Sequence, residues 1–423
     1  MRQPRHSRRH RNPHRHGGPN GGNPQQGPKG QRNPGNVPIP TSGPASPVLG
    51  VADITENAGG FLRQANQNYL PTREDVIVPS SIARDLALRD GSEIEGLARD
   101  GGNGRRILVE VQKVNGKTPE EARALPHFQD LVSISPNESF RLSGEGSELS
   151  LRIIDLIAPV GRGQRGLIVS PPKAGKTTLL EHLGVSIAKN HPETHLILLL
   201  IDERPEEVTH FRRTVQAEVL ASTSDSAADA HIRLARLAIE RAKRLVEAGR
   251  HVVILLDSLT RLGRASNREM GPGGRTMSGG VDNRALQFPR QFFGAARNCE
   301  ASGSLTILAT ALIDTGSRMD EVIFQEFKGT GNMELILDRA ISDRRIFPAV
   351  DVLKSGTRRE ELLCTPEELQ KRHFLRRALA DLSTVEAAQF LVDKLSKTTS
   401  NQAFLASLVT PSSTTSAAAR RFR

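Results

Sequence analysis

Lys176 and Thr177 close the run Ser170-Pro171-Pro172-Lys173-Ala174-Gly175-Lys176-Thr177, and no other residues of this chain are better suited to handling phosphate. A lysine behind a tight glycine turn presents a point charge, and the hydroxyl next to it presents an oxygen ligand. If such a turn leads from a strand into a helix, the first backbone N–H groups of the helix point at the same place. Leu167-Ile168-Val169 before the turn and Leu179-Leu180-Glu181-His182-Leu183 after it provide those flanks. The chemistry predicted is capture of ATP, with Lys176 on the β- and γ-phosphates and the Thr177 hydroxyl on Mg2+. The usual pattern is G-x-x-x-x-G-K-[ST], and Ser170 stands where the first glycine belongs.

Two carboxylates complete the set. The apolar run from Leu196 to Ile201 ends in Asp202-Glu203-Arg204, and the run from His251 to Leu256 ends in Asp257-Ser258. Unbroken apolar runs of this length are the signature of parallel strands buried on both faces. Open α/β sheets bind ligands at the C-terminal ends of such strands. Asp257 reads as the second Mg2+ anchor and Glu203 as the base that orients the attacking water. Either acid alone would read equally well as a cap on the following turn. Two of them, downstream of a Gly-Lys-Thr turn, read as catalytic.

These residues need a scaffold. From about 151 to 410 the pattern alternates apolar strands with helical stretches. Strands are predicted at 166–170, 196–202, 252–257, 305–312 and 334–338, and helices at 178–189, 204–220, 227–248, 284–299 and 319–326. That alternation predicts an α/β domain with a mostly parallel sheet. Residues 48–125 carry short strand candidates, including Asp75-Val76-Ile77-Val78 and 106–111, with a short helix from Ser80 to Leu88 and interspersed glycines. They predict a small barrel of the OB type. A Pro/Gly-containing connector follows at 126–150, and 411–423 reads as a flexible end.

The net charge of +11 is unevenly placed, because residues 1–46 hold eight Lys/Arg and no acid. Residues 1–47 are rich in Pro, Gly, Asn and Gln and predict a disordered basic tail that holds polyanions nonspecifically. The tail's His6, His10, His14 and His16 would bind metal only adventitiously. Cys299 and Cys364 alone make neither a disulfide framework nor a structural zinc site. The basic start is followed by no apolar leader, and no apolar run approaches the ~20 residues that span a membrane. The expectation is a cytoplasmic protein without a membrane partner.

The motifs together resemble the bacterial transcription termination factor Rho family. The resemblance is carried by Pro171 to Thr177, by Leu200-Ile201-Asp202-Glu203-Arg204-Pro205-Glu206-Glu207-Val208, and by Leu255 to Arg261. It extends through Gly294-Ala295-Ala296-Arg297-Asn298, Asp314 to Glu321 and Glu326 to Asn332. It implies a RecA-like P-loop motor in a homohexameric ring that translocates on nascent single-stranded RNA and acts on the RNA polymerase transcription complex. By the same resemblance, Gly161, Arg162, Gly163, Gln164, Arg165 and Gly166 form the nucleotide pocket with Lys173, Ala174, Gly175, Lys176, Thr177 and Thr178. Phe347 would pack on the adenine, Arg204 would sense the γ-phosphate, and Arg358 would be the finger entering the neighbouring subunit's site. Arg345 is a second candidate for that cross-subunit role.

Two loops are implied to line the central pore. One is the glycine-rich run 271–280 with Arg275, Thr276 and Gly279, and the other is Thr315-Gly316-Ser317-Arg318. The family commonly has Lys where Arg275 and Arg318 stand. In the barrel, Phe61, Arg63 and Asp75 match the family's RNA-capturing pattern. Gly59 and Ile77 stand where aromatics are usual, and the strand Arg106-Ile107-Leu108 lacks the expected Tyr. Lost stacking platforms predict weaker capture by the barrel, which the basic tail would offset in part. Another ring or filament ATPase on the same motor and a non-catalytic RNA-binding regulator are the two competing readings. The barrel and pore-loop cations disfavour the first, and the filled catalytic positions disfavour the second.

Overall fold

The computed structural model describes residues 37–55, 59–102, 104–270 and 278–408. The predicted flexible end and most of the predicted basic tail lie outside these residues.

Five strands close the barrel: β1 (Ala45–Thr55), β2 (Gly59–Arg63), β3 (Val76–Val78), β4 (Glu93–Asp100) and β5 (Arg106–Val114), in the order β1-β2-β3-β5-β4. Helix α1 (Ser80–Asp85) follows β3, and α2 (Pro119–Arg123) follows β5. The alternation is plainest in β4, where Ile94, Gly96 and Ala98 point inward between half-exposed neighbours. Inside, Val48, Ala52, Leu62, Val76, Val78 and Leu108 form the core with Ile94 and Ala98. Closure depends on β1, which pairs with β4 over residues 45–51 and with β2 over 51–55. At the crossing, a Cβ on Gly50 would lie 2.8 Å from the Leu62 Cβ, so the approach requires glycine. β1 begins inside the segment expected to be tail, and neither β1 nor β4 stood out in the sequence.

The motor follows as β6 (Ser133–Ile134), α3 (Leu149–Ile157), β7 (Arg165–Ser170), α4 (Lys176–Asn190), β8 (His195–Glu203), α5 (Pro205–Thr214) and β9 (Glu218–Thr223). Next come α6 (Ala228–Glu247), β10 (His251–Asp257), α7 (Leu259–Glu269), α8 (Gln287–Gly294), β11 (Arg297–Cys299), β12 (Ser304–Leu312) and α9 (Arg318–Lys328). The chain ends through β13 (Met333–Ile336), α10 (Arg339–Asp343), β14 (Gly356–Thr357), α11 (Pro366–Ala380), α12 (Thr384–Leu395) and α13 (Asn401–Ser407). The sheet runs β14-β13-β7-β12-β10-β8-β9 and is parallel from β13 to β9. Both faces are covered. Ile197, Leu199 and Ile201 of β8 join a core with α6, while Leu196, Leu198 and Leu200 join one with α4 on the other side. This is why the run is apolar without alternation.

Two predicted helices are shorter than expected. The stretch 204–220 stops at Thr214, and Glu218–Thr223 is instead the edge strand β9 beside β8. The stretch 284–299 stops at Gly294, and Arg297–Cys299 bridges β12 and β6. In both, a short apolar run lacks the length that separates strand from helix, and pairing with a distant strand decides. The connector contributes β6 to the sheet and buries Phe140 and Leu142 in the motor core. No helix of the described residues is long and apolar enough to cross a membrane.

Candidate functional site

β7 delivers the phosphate turn, and α4 starts at Lys176 itself. Gly175 has φ +89° and Lys173 φ +66°, so the backbone folds tightly where only glycine is unstrained. Gly175 is also the N-cap and brings no side-chain acceptor, which leaves the first N–H groups of α4 open to an anion. Lys173 and Thr178 are exposed beside them, and Ala174 is buried beneath.

The strand ends bring the acids to the same place. Asp257 closes β10 fully buried, its Oδ1 accepting the Thr310 hydroxyl at 2.8 Å. Glu203 closes β8 with 1% exposure, and its Oε2 lies 2.9 Å from Arg261 Nη1. Lys176 Nζ joins both, bonded to Asp257 Oδ2 and 3.6 Å from Glu203 Oε2. The Thr177 hydroxyl donates to Glu207 Oε2 at 3.2 Å, and the Arg204 side chain is exposed. Two buried carboxylates, a hydroxyl and a lysine that bridges the acids form an oxygen-rich donor set. It suits a hard divalent cation and polyphosphate. Phe347 is 46% exposed, and its ring lies against the turn, 3.8 Å from where a Gly175 Cβ would sit. An aromatic left open beside a phosphate turn fits a base platform better than a core residue.

The structure does not bring Gly161 to Gly166 to this turn. They sit at the start of β7, and its six residues put roughly 17 Å between the two ends. Their contacts are structural: the Gly163 N–H donates to Thr306 Oγ1 at 2.8 Å, Gln164 Nε2 to Asn332 Oδ1 at 2.6 Å, and Arg162 pairs with Glu193 at 2.8 Å. A Cβ on Gly163 would lie 2.2 Å from the Asn298 nitrogen, so packing alone demands that glycine. Within one chain these six residues therefore stand away from the phosphate turn with which they were expected to form the nucleotide pocket. Arg358 shares their end of the sheet. Its N–H donates to Asn332 O at 2.8 Å and its side chain is exposed. Burial, with the guanidiniums of Arg297 and Arg358 nearby, lowers the pKa of Arg165. This end of the sheet is thus a cationic edge.

On the barrel, Arg63 is only 4% exposed, pairs with Asp53 at 2.6 Å and with Asp75, and stacks over Phe61 with its Cζ 4.7 Å from the ring centre. Arg63 therefore fixes Phe61 more than it offers a free charge. Across the strands Phe61 pairs with Ile77 and Ile77 with Ile107, both buried. The Gly59 position cannot hold an aromatic, because any Cβ would lie 2.5 Å from Val78 O at φ +73°. Of the pore-loop residues, Arg275 and Thr276 lie outside the described residues. Gly279 packs against the start of α9, where Arg318 is exposed. Asp320 anchors that start by accepting Arg264 Nε at 2.7 Å and Thr315 Oγ1 at 2.6 Å.

The sequence pattern alone assigned no role to Arg261 or Thr310. The signals were present: a cation one helical turn past Asp257, and a threonine near the C-terminal end of an otherwise largely apolar strand.

Residues 150–357 match the ATP synthase alpha/beta family, nucleotide-binding domain, and residues 48–120 match the Rho termination factor, RNA-binding domain. The chain is 53% identical over 366 residues to the transcription termination factor Rho of Cereibacter sphaeroides, covering 85% of this chain and 87% of that protein. This chain belongs to the transcription termination factor Rho family. Rho of Aquifex aeolicus is 51% identical over 364 residues, covering 85% of this chain and 84% of its own. The motor of this chain shares its fold with an ATPase of a bacterial type III secretion system, at TM-score 0.53 and 21% identity over 65% of this chain and 85% of that one. The EscN ATPase of enteropathogenic E. coli aligns at TM-score 0.54 and 21% identity over 71% and 74%. The RNA-binding barrel of the Rho family and a RecA-like ATPase domain thus stand in one chain.

Proposed function

We propose that this chain is an RNA-dependent ATPase and helicase that captures nascent RNA and terminates transcription as a ring of six copies. The carrying observation is the placement of Arg358 and the phosphate turn at opposite ends of β7, both facing outward. A head-to-tail interface apposes one such end to the other in the next copy, and a closed set of these contacts is a ring. Arg358, with the cationic edge around it, then completes the neighbour's site, as an arginine finger does. Its partner in the cytoplasm would be the transcription complex that supplies the RNA.

In that site Thr177 and Asp257 would hold Mg2+, which supplies charge neutralisation between the phosphates. Lys176 turns from the two carboxylates to the phosphate oxygens. Glu203, released on one side and still held by Arg261, orients a water in line with the γ-phosphate. Phe347 stacks on the base, and Arg204, one residue from Glu203, reads the γ-phosphate. Phe61 on the barrel stacks an RNA base, while Arg318 and the 271–280 loop face the strand in the pore.

The test is ATP turnover by the purified chain with no nucleic acid, poly(C), poly(U), single-stranded DNA and duplex DNA. Stimulation by RNA alone supports the proposal. Stimulation by DNA, or by nothing, reassigns the motor.

A further inference from the structure

Arg63 ends β2, and the next residues, Gln64 to Tyr69, leave the barrel and enter the motor. Asn68 and Tyr69 have φ +53° and +55°. Two consecutive non-glycine residues in the left-handed region need outside contacts to hold them. The motor provides those contacts. Asn68 Oδ1 accepts from the Ala221 N–H at 2.9 Å and from Arg212 Nη2 at 3.0 Å. Tyr69 is buried within the motor core and its hydroxyl donates to Glu218 Oε1. Glu218 Oε2 lies 2.7 Å from His195 Nε2 and 3.2 Å from Arg241 Nε, and Arg241 reaches back to Glu93 of β4 at 2.9 Å. Burial works against the Glu218 charge, but the His195 hydrogen bond and the Arg241 guanidinium hold its carboxyl down to about 2. Burial raises the Tyr69 phenol, so it stays a donor.

The two partners of Asn68 flank the catalytic end of β8. Ala221 lies on β9, whose Thr223 pairs with Glu203, and the Ser224 N–H donates to Glu203 O at 3.1 Å. Arg212 lies on α5, which starts directly after Arg204 and whose Glu207 takes the Thr177 hydroxyl. At its other end the segment is tied to the RNA-facing barrel, because Asp75 binds both Arg63 and the Thr72 N–H, the latter at 2.7 Å.

We infer that the segment Gln64–Asp75 is the link through which RNA on the barrel sets the position of Glu203 and Arg204 in the same chain, with Asn68 and Tyr69 as its positioning residues. The inference rests on the reading of Glu203 as the base and of Phe61 as an RNA platform. A base stacked on Phe61 moves Arg63, whose pair with Asp75 anchors the segment. The apex then shifts β9 and α5, the two elements that bracket the acid. A contact chain of this kind becomes coupling only if both sites bias it, and a mutant series measures that.

Asn68→Ala, Tyr69→Phe and Arg212→Ala are compared with the parent for ATP turnover with and without poly(C), ATP KM, poly(C) affinity and Tm. Arg212 is exposed, so its variant folds even if Asn68→Ala does not. The expected result is a loss of RNA stimulation of about five-fold or more, the scale of allosteric coupling. The RNA-free rate, ATP KM and poly(C) affinity should stay within about two-fold. Full stimulation in all three variants overturns the link. So does an equal loss with and without RNA, which marks a merely structural role. A parent chain that RNA does not stimulate at all overturns the proposed function instead.

Discussion

Glu203 and Lys176 touch in this structure, yet their loss should read differently. Glu203→Gln keeps the shape and the Arg261 contact, so ATP and RNA binding should persist while RNA-stimulated turnover falls about 10²–10⁴-fold. Turnover within a few-fold of the parent would remove Glu203 from the role of base. Lys176→Ala instead strips the shared cation from two buried carboxylates and should weaken ATP binding outright. Phe61→Ala should loosen the barrel's hold on RNA by about 1–3 kcal/mol, the worth of one stacked base. Titration of a short oligo(C) under conditions without ATP measures it. Glu203 and Asp257 were legible because each ends an apolar run whose geometry is fixed by burial, and Lys176 and Thr177 because they follow a glycine turn between such a run and a helix. Arg261 and Thr310 were harder, since their importance comes from partners on other strands. The reason Gly59 is glycine lies in the Val78 carbonyl it approaches, which no local pattern reveals.

At the scale of elements, the barrel docks on α6 through the turn at Asp90 and Gly91, where a Cβ on Gly91 would lie 2.3 Å from the Arg241 nitrogen. Burial at that junction, with the Asp53 carboxylate nearby, pushes the Asp90 carboxyl up to about 7. The folded chain therefore holds a proton there that the unfolded chain, with a value of 3.8, has released. This contribution to stability is full below about pH 4, falls as pH rises, and is gone above about pH 7. Asp90→Asn should raise Tm over the parent by an amount that grows across that window and vanishes below it. A pH-independent difference would contradict the assignment. The strands of the motor sheet were legible from their apolar runs because both faces are buried. β9 was hidden for the opposite reason. It is an edge strand, partly open, and its mixed run from Glu218 to Thr223 follows a true helix with no glycine or proline between them. Likewise β1 hid behind Pro47 and Gly50, its register being set by β2 and β4 rather than by its own alternation.

For the whole molecule, the uneven charge makes a separate claim. All eight cations of the predicted tail lie before residue 33. The Pro40 carbonyl already accepts Arg99 Nη1 at 3.0 Å, and β1 starts at Ala45, so a clean deletion removes residues 2–36. If the tail neutralises RNA phosphates, its removal should flatten the log–log salt dependence of RNA binding by about 0.7 for each phosphate that the tail had neutralised. An unchanged slope would leave the tail without that role. Assembly carries the proposed shared site: Arg358 lies at the opposite end of β7 from its own phosphate turn, so as a finger it would serve a neighbour's site. The most direct measurement mixes Glu203→Gln chains with Arg358→Ala chains, confirms mixed rings, and records RNA-stimulated ATP hydrolysis. Each variant alone should be nearly inactive, the finger being worth about 10³–10⁵-fold. In randomly mixed rings about a quarter of the sites pair an intact Glu203 with a neighbour's intact Arg358, so activity should reappear toward that level. Mixed rings as inactive as their parents, or an Arg358→Ala chain that hydrolyses ATP like the parent, would contradict the shared site.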